Sequence, residues 1–395
     1  MPGAPLRVLI VTNLFPNAAD PLLAPFNRQQ FVALAERCRI VDVLATIPWY
    51  PGAGLLARWS SAGRLVSVPA RETIAGLSVR HPRTLFVPRV GHGTWGPLYA
   101  ASLAPLLPRY RGAIDVVLAS WAYPDGFAAV VLARMLGVPA VVKTHGSDIH
   151  HNARMPGPRR QLRWALPRAA RVVAVSRGLA DEVAALGVPR DRIALVLNGV
   201  DRELFRPRDR DAARAALGLP VEARIVLYVG TLKPSKGILD LIAAFEMLAA
   251  RRADAHLVVV GEGELRARVD ELAARVPRMH VLGGRPLAEV PTLMAACDVL
   301  ALASWNEGTP NVVMEALASG RRVVATDVGG VPDLLPDRVL GDLVPPRDPA
   351  ALAAALERAL TTPYDAAAVA QHSSRDGWGA SADALAGVLA DAVAG

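Results

Sequence analysis

Cysteine is almost absent from this chain, with only Cys38 and Cys297 in 395 residues, far apart and each in an apolar context. Neither a disulfide framework nor a cysteine metal site is supported, and a reducing compartment is the natural one. Long apolar runs are missing too. Val138–Val142 is strand length, well short of the roughly 20 residues that span a bilayer. The amino terminus enters a strand, Arg7–Val11, with no basic, apolar and small-residue leader ahead of it, so the cytoplasm is the expected compartment. Neither half of the chain begins with G-x-G-x-x-G, and Gly261-Glu-Gly263 continues with Glu-Leu-Arg, which argues against a dinucleotide-dependent oxidoreductase. No Asp-x-Asp pair stands at a strand end, so no metal ligands, no cofactor and a metal-independent reaction are expected. Glycine, finally, is absent between residues 4 and 51.

What the chain does have is an alternation of short apolar runs with helix-like segments, the pattern of doubly wound parallel sheets. In the first half the expected strands are Arg7–Val11, Ile40–Leu44, Asp115–Ala119, Ala140–Lys143, Arg171–Val175 and Ile193–Leu197. In the second they are Ile225–Val229, His256–Val260, Met279–Leu282, Asp298–Leu302 and Arg322–Thr326. The fold class is therefore α/β, with two Rossmann-like domains. The expected boundaries are 1–205 for the first domain, 206–222 for an arginine-rich linker, 223–378 for the second domain and 379–395 for a final helix. Residues 48–69 and 84–97, rich in Pro and Gly, read as long loops where an acceptor would be recognised.

Chemistry concentrates in Glu307-Gly-Thr-Pro-Asn-Val-Val-Met-Glu315. Thr309 reads as an N-cap with Pro310 as first helical residue, and Gly320 as the residue that ends the helix. Glu307 then lies in a loop at the carboxyl end of a strand and Glu315 one to two turns into the next helix, in the crevice where open α/β sheets bind ligands. Amides around Pro310, Asn311 and Val312 can hold a phosphate, and a carboxylate on each side can accept hydrogen bonds from sugar hydroxyls. Two glutamates at this spacing are, on their own, as easily a solvated helix face. A second anchor is Gly230-Thr-Leu-Lys-Pro-Ser-Lys-Gly237, which places Lys236 near a helix start at the same sheet edge, where an ammonium can neutralise a diphosphate. The order is Lys-Gly, not the Gly-Lys-Ser/Thr of a Walker loop.

Together with Ser304-Trp-Asn-Glu-Gly308, Ala325–Asp333, Val260–Gly263, Lys143-Thr-His-Gly-Ser-Asp148, Val175-Ser176 and Asn198-Gly-Val-Asp201, these segments stand in the order and spacing of the retaining glycosyltransferases of family 4, the glycogen-synthase-like group 1 enzymes. The chain resembles that family to about residue 340. The resemblance implies a GT-B fold, two domains facing across a cleft with the final helix returning to the first. It also implies a hexosyltransferase that moves a sugar from a nucleoside-diphosphate donor to a saccharide or lipid-linked acceptor in cell-envelope polysaccharide synthesis. Catalytic roles would fall to Glu307, Lys236 and His145, and donor contacts to Glu315, Lys233, Thr231, Gly230, Thr309, Pro310, Asn311, Val312 and Gly261. Two departures stand out. Thr231 occupies the position where the family carries arginine, with Lys233 two residues on, and the first loop offers Ala24-Pro25-Phe26 where relatives have glycine. These departures prompt a non-catalytic sugar-nucleotide-binding regulator as one alternative; a nucleotide-sugar epimerase is the other.

The net charge of +8 favours anionic partners. Arg154, Arg159, Arg160, Arg163, Arg168 and Arg171 cluster around Trp164, opposite an apolar stripe of Leu162, Ala165, Leu166 and Ala169. This reads first as a solvated helix face. Peripheral contact with anionic lipid on the inner face of the cell membrane is the alternative, and nucleic acid is not an expected partner.

Overall fold

The computed structural model describes residues 4–21, 23–51, 63, 65–86, 91–372 and 377–395. The chain divides into two compact units, residues 1–198 with 378–395, and residues 199–377.

The strands of the first unit are β1 (Arg7–Thr12), β2 (Arg39–Ala45), β3 (Ile47–Trp49), β4 (Arg71–Ile74), β5 (Leu77–Arg80), β6 (Arg83–Leu85), β7 (Val116–Ser120), β8 (Ala140–Lys143), β9 (Arg171–Ala174) and β10 (Ile193–Leu195). Eight of them form one sheet in the order β10-β9-β8-β7-β1-β2-β5-β4, parallel except for the β4–β5 hairpin, while β3 and β6 pair separately. The central strands are continuous apolar runs because both of their faces are covered; Val8, Ile10, Val117 and Leu118 are fully buried. Strand order reverses at β1 and β7, so the crevice beyond their carboxyl ends is the natural ligand site of this unit.

The second unit has β11 (Arg224–Val229), β12 (Ala255–Val260), β13 (Met279–Gly283), β14 (Val299–Leu302), β15 (Arg322–Thr326) and β16 (Gly341–Val344). Its sheet is wholly parallel, in the order β13-β12-β11-β14-β15-β16, and reverses between β11 and β14. The loops that follow these two strands are the lysine loop and the glutamate loop.

Several sequence expectations change. The stretch read as a linker, 206–222, contains the helix Arg210–Leu217, capped by Asp209, whose side chain accepts from the Ala212 amide at 2.9 Å, and ended by Gly218 at φ 66°. Its Arg214 is fully buried and donates to Asp298 Oδ2 at 2.7 Å and to the Ala296 carbonyl at 2.8 Å. An arginine-rich segment is thus part of the second unit's core, and the first unit ends at Asn198, before residue 205. The regions read as long loops hold β3, the turn Leu65–Ser67, the end of β6 and the start of the helix Trp95–Leu103; their residues 52–62, 64 and 87–90 lie outside the described set. The last helix, Trp378–Ala394, belongs to the first unit and packs on the helix Pro25–Ala35: Ser381 Oγ receives Gln30 Nε2 at 3.1 Å and donates to the Leu197 carbonyl at 2.6 Å, and Arg37 pairs with Asp383 at 2.7 Å. Among the described residues, no helix is long and apolar enough to cross a membrane.

Candidate functional site

In the second unit β11 ends at Val229, and the chain runs through Gly230–Gly237 into the helix Ile238–Ala249, which is anchored by buried Ile238, Leu241, Ile242, Phe245 and Leu248. A short 3-10 turn, Pro234–Lys236, presents the Lys236 ammonium. Beyond β14, the loop from Ala303 carries Glu307 toward it. Lys236 Nζ lies 2.7 and 2.8 Å from the two Glu307 oxygens, and Ser304 Oγ donates to Oε1 at 2.6 Å. The Glu307 side chain is only 8% exposed, against 26% for Lys236, so the pair is held at the edge of the interior with the ammonium on the open side. The sequence placed these two residues in separate motifs; the fold joins them.

Two glycines make this approach possible. A Cβ on Gly237, at φ +62°, would stand 1.9 Å from the Ala303 carbonyl oxygen, and one on Gly329, at φ +55°, would stand 1.8 Å from the Glu307 carbonyl oxygen. Both positions demand the left-handed region and the absence of a side chain. Trp305 ties the loops further. Its amide donates to the Ser235 carbonyl at 2.9 Å, its indole N–H donates to Asp240 at 2.7 Å, and the Arg347 guanidinium lies 4.2 Å from the ring centroid.

Not every other candidate sits where the sequence puts it. Pro310, in extended conformation, occupies the N-cap position of the helix Asn311–Ala318 in place of Thr309, a buried residue, and makes no side-chain capping hydrogen bond. Proline has no N–H to leave unpaired, and the first amides of the helix, Asn311 and Val312, lie next to it. Gly320, at φ +71°, ends this helix in a Schellman arrangement, with Gly320 N to Leu317 O at 2.9 Å and Arg321 N to Ala316 O at 2.8 Å. Gly230 and Gly261 lie back to back: their amides donate to Val260 and Gly283, and a Cβ on Gly261 would stand 1.9 Å from the Gly230 carbonyl oxygen. Neither amide is open to a phosphate, so these glycines set the height of the lysine loop. Thr231 is exposed, and its carbonyl accepts the Tyr228 hydroxyl at 3.0 Å. Lys233 is half-buried; desolvation, then the neighbouring Lys236 ammonium, lower its pKa. Glu315 is half-buried as a residue, and desolvation pushes its carboxyl up to about 7.

His145 belongs to the first unit and follows β8. Its ring lies 5.1 Å from that of Phe26 and 5.6 Å from that of Trp121, and Nε2 is 3.0 Å from Ser120 Oγ at the end of β7. Burial, aided by Lys143, pushes its pKa well below the ordinary imidazole range. Asp148 shapes the loop by accepting from the amides of His145, Gly146 and Ala122 at 3.0, 2.8 and 2.7 Å. Lys143 is wholly buried, with Asn198 Oδ1 at 3.1 Å and Gln30 Oε1 as acceptors, and desolvation lowers it to about 7. Sequence reasoning passed over Ser120, Asn27, Asp148 and Trp305. Only Asp148 and Trp305 lay inside quoted motifs, and the others meet the site through long-range contacts that no local pattern encodes.

Residues 223–362 match the family described as "Glycosyl transferases group 1", and residues 64–204 match "Glycosyltransferase Family 4". The chain is 33% identical over 352 residues to D-inositol 3-phosphate glycosyltransferase 1 of Catenulispora acidiphila, covering 83% of this chain and 84% of that one. It is 28% identical over 360 residues, 89% of each chain, to TuaC of Bacillus subtilis (strain 168), a glycosyltransferase whose name assigns it to teichuronic acid biosynthesis. The fold is similar to that of Anabaena Alr3699/HepE, solved in complex with UDP, at TM-score 0.73 and 20% identity over 98% of this chain and 99% of that one. The chain belongs to the group 1, family 4 glycosyltransferases and has their GT-B class of fold, two Rossmann-like domains.

Proposed function

We propose that this glycosyltransferase moves a hexose from a nucleoside-diphosphate-sugar donor to an acceptor hydroxyl with retention of anomeric configuration and without a metal ion, in the synthesis of an envelope polysaccharide or glycoconjugate. The observation that carries the reading is the Lys236–Glu307 pair, placed by two loops at the strand-order reversal of the second unit. The sugar–phosphate bond breaks, the new bond forms from the acceptor oxygen to the same sugar carbon, and the acceptor's hydroxyl proton passes to the departing nucleoside diphosphate. An ammonium beside that phosphate stabilises the leaving charge, an effect worth roughly 3–4 kcal/mol per well-placed donor. Lys236, shared between Glu307 and the phosphate, keeps the carboxylate next to the sugar whose hydroxyls it grips. The Asn311 and Val312 amides add donors at the helix start. Glu315, further along the helix, accepts from the ribose hydroxyls.

The envelope assignment draws on the likeness to TuaC and on the motif resemblance, and the donor class on the likeness to a structure that holds UDP. The exposed arginines around Trp164 make an anionic membrane surface part of the same proposal. The test is transfer by the purified protein in the presence of a chelator, with the anomeric configuration of the new bond read by NMR. Persisting transfer with retained configuration is expected; an inverted product would overturn the reading. Glu307→Gln should lower turnover while leaving affinity for the bare nucleotide intact, because its partner is the transferred sugar. An altered sugar nucleotide released without acceptor would point to an epimerase instead.

A further inference from the structure

Proton positions around His145 follow from its neighbours. Asn27 Nδ2 donates to the Leu14 carbonyl at 2.7 Å. Turning the amide over would bring two bare oxygens to that distance, so Oδ1 must face Ser120, whose Oγ lies 2.8 Å away. That oxygen has no hydrogen to give, so the Ser120 hydroxyl spends its only one there. At 3.0 Å from Ser120 Oγ, His145 Nε2 must therefore be the donor. A neutral imidazole with its hydrogen on Nε2 has a bare lone pair on Nδ1.

We propose that Asn27 and Ser120 are positioning residues that hold His145 as the Nε2–H tautomer, so that Nδ1 is presented as a hydrogen-bond acceptor to a hydroxyl of the substrate sugar. This rests on the catalytic role that the family resemblance implies for His145, taken as a contact with the substrate sugar. Asn27 and Ser120 are themselves fully buried, so they act only through the ring. Phe26 and Trp121 hold its plane, and Asp148 holds its backbone. Among the described residues no second partner hydrogen-bonds the ring. Burial keeps it neutral, which an acceptor nitrogen requires, since an imidazolium has two donors and no acceptor. A site built this way selects a hydroxyl: a deoxy or O-methyl sugar at that position would leave Nδ1 unpaired.

The test uses the full chain labelled with 15N-histidine, with the His145 signals assigned by their absence in His145→Gln. Wild-type protein should show a hydrogen on Nε2 and none on Nδ1 between pH 6 and 8. Ser120→Ala should give mixed tautomers and lower kcat about tenfold or more, with the affinity for nucleoside diphosphate unchanged, and Ser120→Thr should restore the single tautomer. A wild-type Nδ1–H signal overturns the proposal outright, whether or not Ser120→Ala folds. Unchanged tautomer and turnover in a folded Ser120→Ala overturn it as well. Full turnover in His145→Gln, with the Nε2–H tautomer seen, overturns the substrate contact beneath it while leaving the tautomer assignment standing.

Discussion

Glu315 holds its proton more tightly in the native state than in the unfolded chain, because burial raises its carboxyl to about 7 from an ordinary value near 4.3. The stability this contributes is fully present below the ordinary carboxylate range and is lost as pH rises through about 7. Glu315→Gln should therefore be more stable than wild type at pH 8, by on the order of 3 kcal/mol, with the difference vanishing near pH 4 in urea melts. Ligand binding has the opposite sign. Only the ionised carboxylate offers acceptors on both oxygens to a ribose diol, so wild-type affinity for nucleoside diphosphate should fall as pH drops from 8 to 6. In Glu315→Gln it should be weak and flat, and a flat wild-type profile would remove Glu315 from the binding site. Position 231 permits a second test. With Thr231 exposed and Lys233 half-buried beside Lys236, Lys233 is the cation nearest to replacing the missing arginine. Lys233→Ala should lower kcat/KM by roughly 30-fold or more, equal to about 2 kcal/mol. Thr231→Arg should rescue part of that loss, and strict additivity in the double-mutant cycle, with Lys233→Ala near wild type on its own, would show Lys233 to be a solvated loop residue.

The loops carry their own prediction, since the Lys236 loop and the Glu307 loop each make a close backbone approach at a glycine that leaves no room for a side chain. Gly329→Ala must move the Glu307 backbone, because its methyl would stand 1.8 Å from that carbonyl oxygen at a φ that alanine adopts only with strain. The expected result is loss of turnover by a hundredfold or more with folding retained, read by kinetics beside circular dichroism. Gly76→Ala is the control, with open space around its Cβ and a similarly positive φ, so it should cost only the strain, about 1 kcal/mol. Much at this scale was legible in the sequence. The central strands announce themselves as apolar runs because burial on both faces leaves no room for polar residues. Arg71–Ile74 and Leu77–Arg80 escaped notice because a short hairpin at a sheet edge mixes arginine and glutamate with its few apolar residues. The N-cap was misplaced by one residue because Thr309 matches a preference that Pro310, in extended conformation, pre-empts. The contacts of His145 could not be read at all, since Asn27 lies on a helix, Ser120 at the end of one strand and His145 in the loop after another, and only the fold brings them together.

For the molecule as a whole, the buried Arg214–Asp298 pair shows why an arginine-rich stretch is no guide to a linker. Arg214→Met leaves a buried carboxylate without its close partner and should cost about 3–5 kcal/mol in urea unfolding. Arg210→Met removes a guanidinium that is 40% exposed and 3.6 Å from the same carboxylate, and should cost less than about 1 kcal/mol. Equal losses would show that the burial argument is wrong. The discontinuity of the first unit has a consequence of another kind. Leu385, Leu389 and Ala392 of the last helix fill the same core as Val8, Ile10 and Val43, yet residues 199–377 are translated in between. At about 5–20 residues per second the ribosome needs roughly 10–40 s to make that stretch. For that time the nascent first unit stands with one flank of its sheet bare, a target for chaperones, while the second unit can close on itself the moment it emerges.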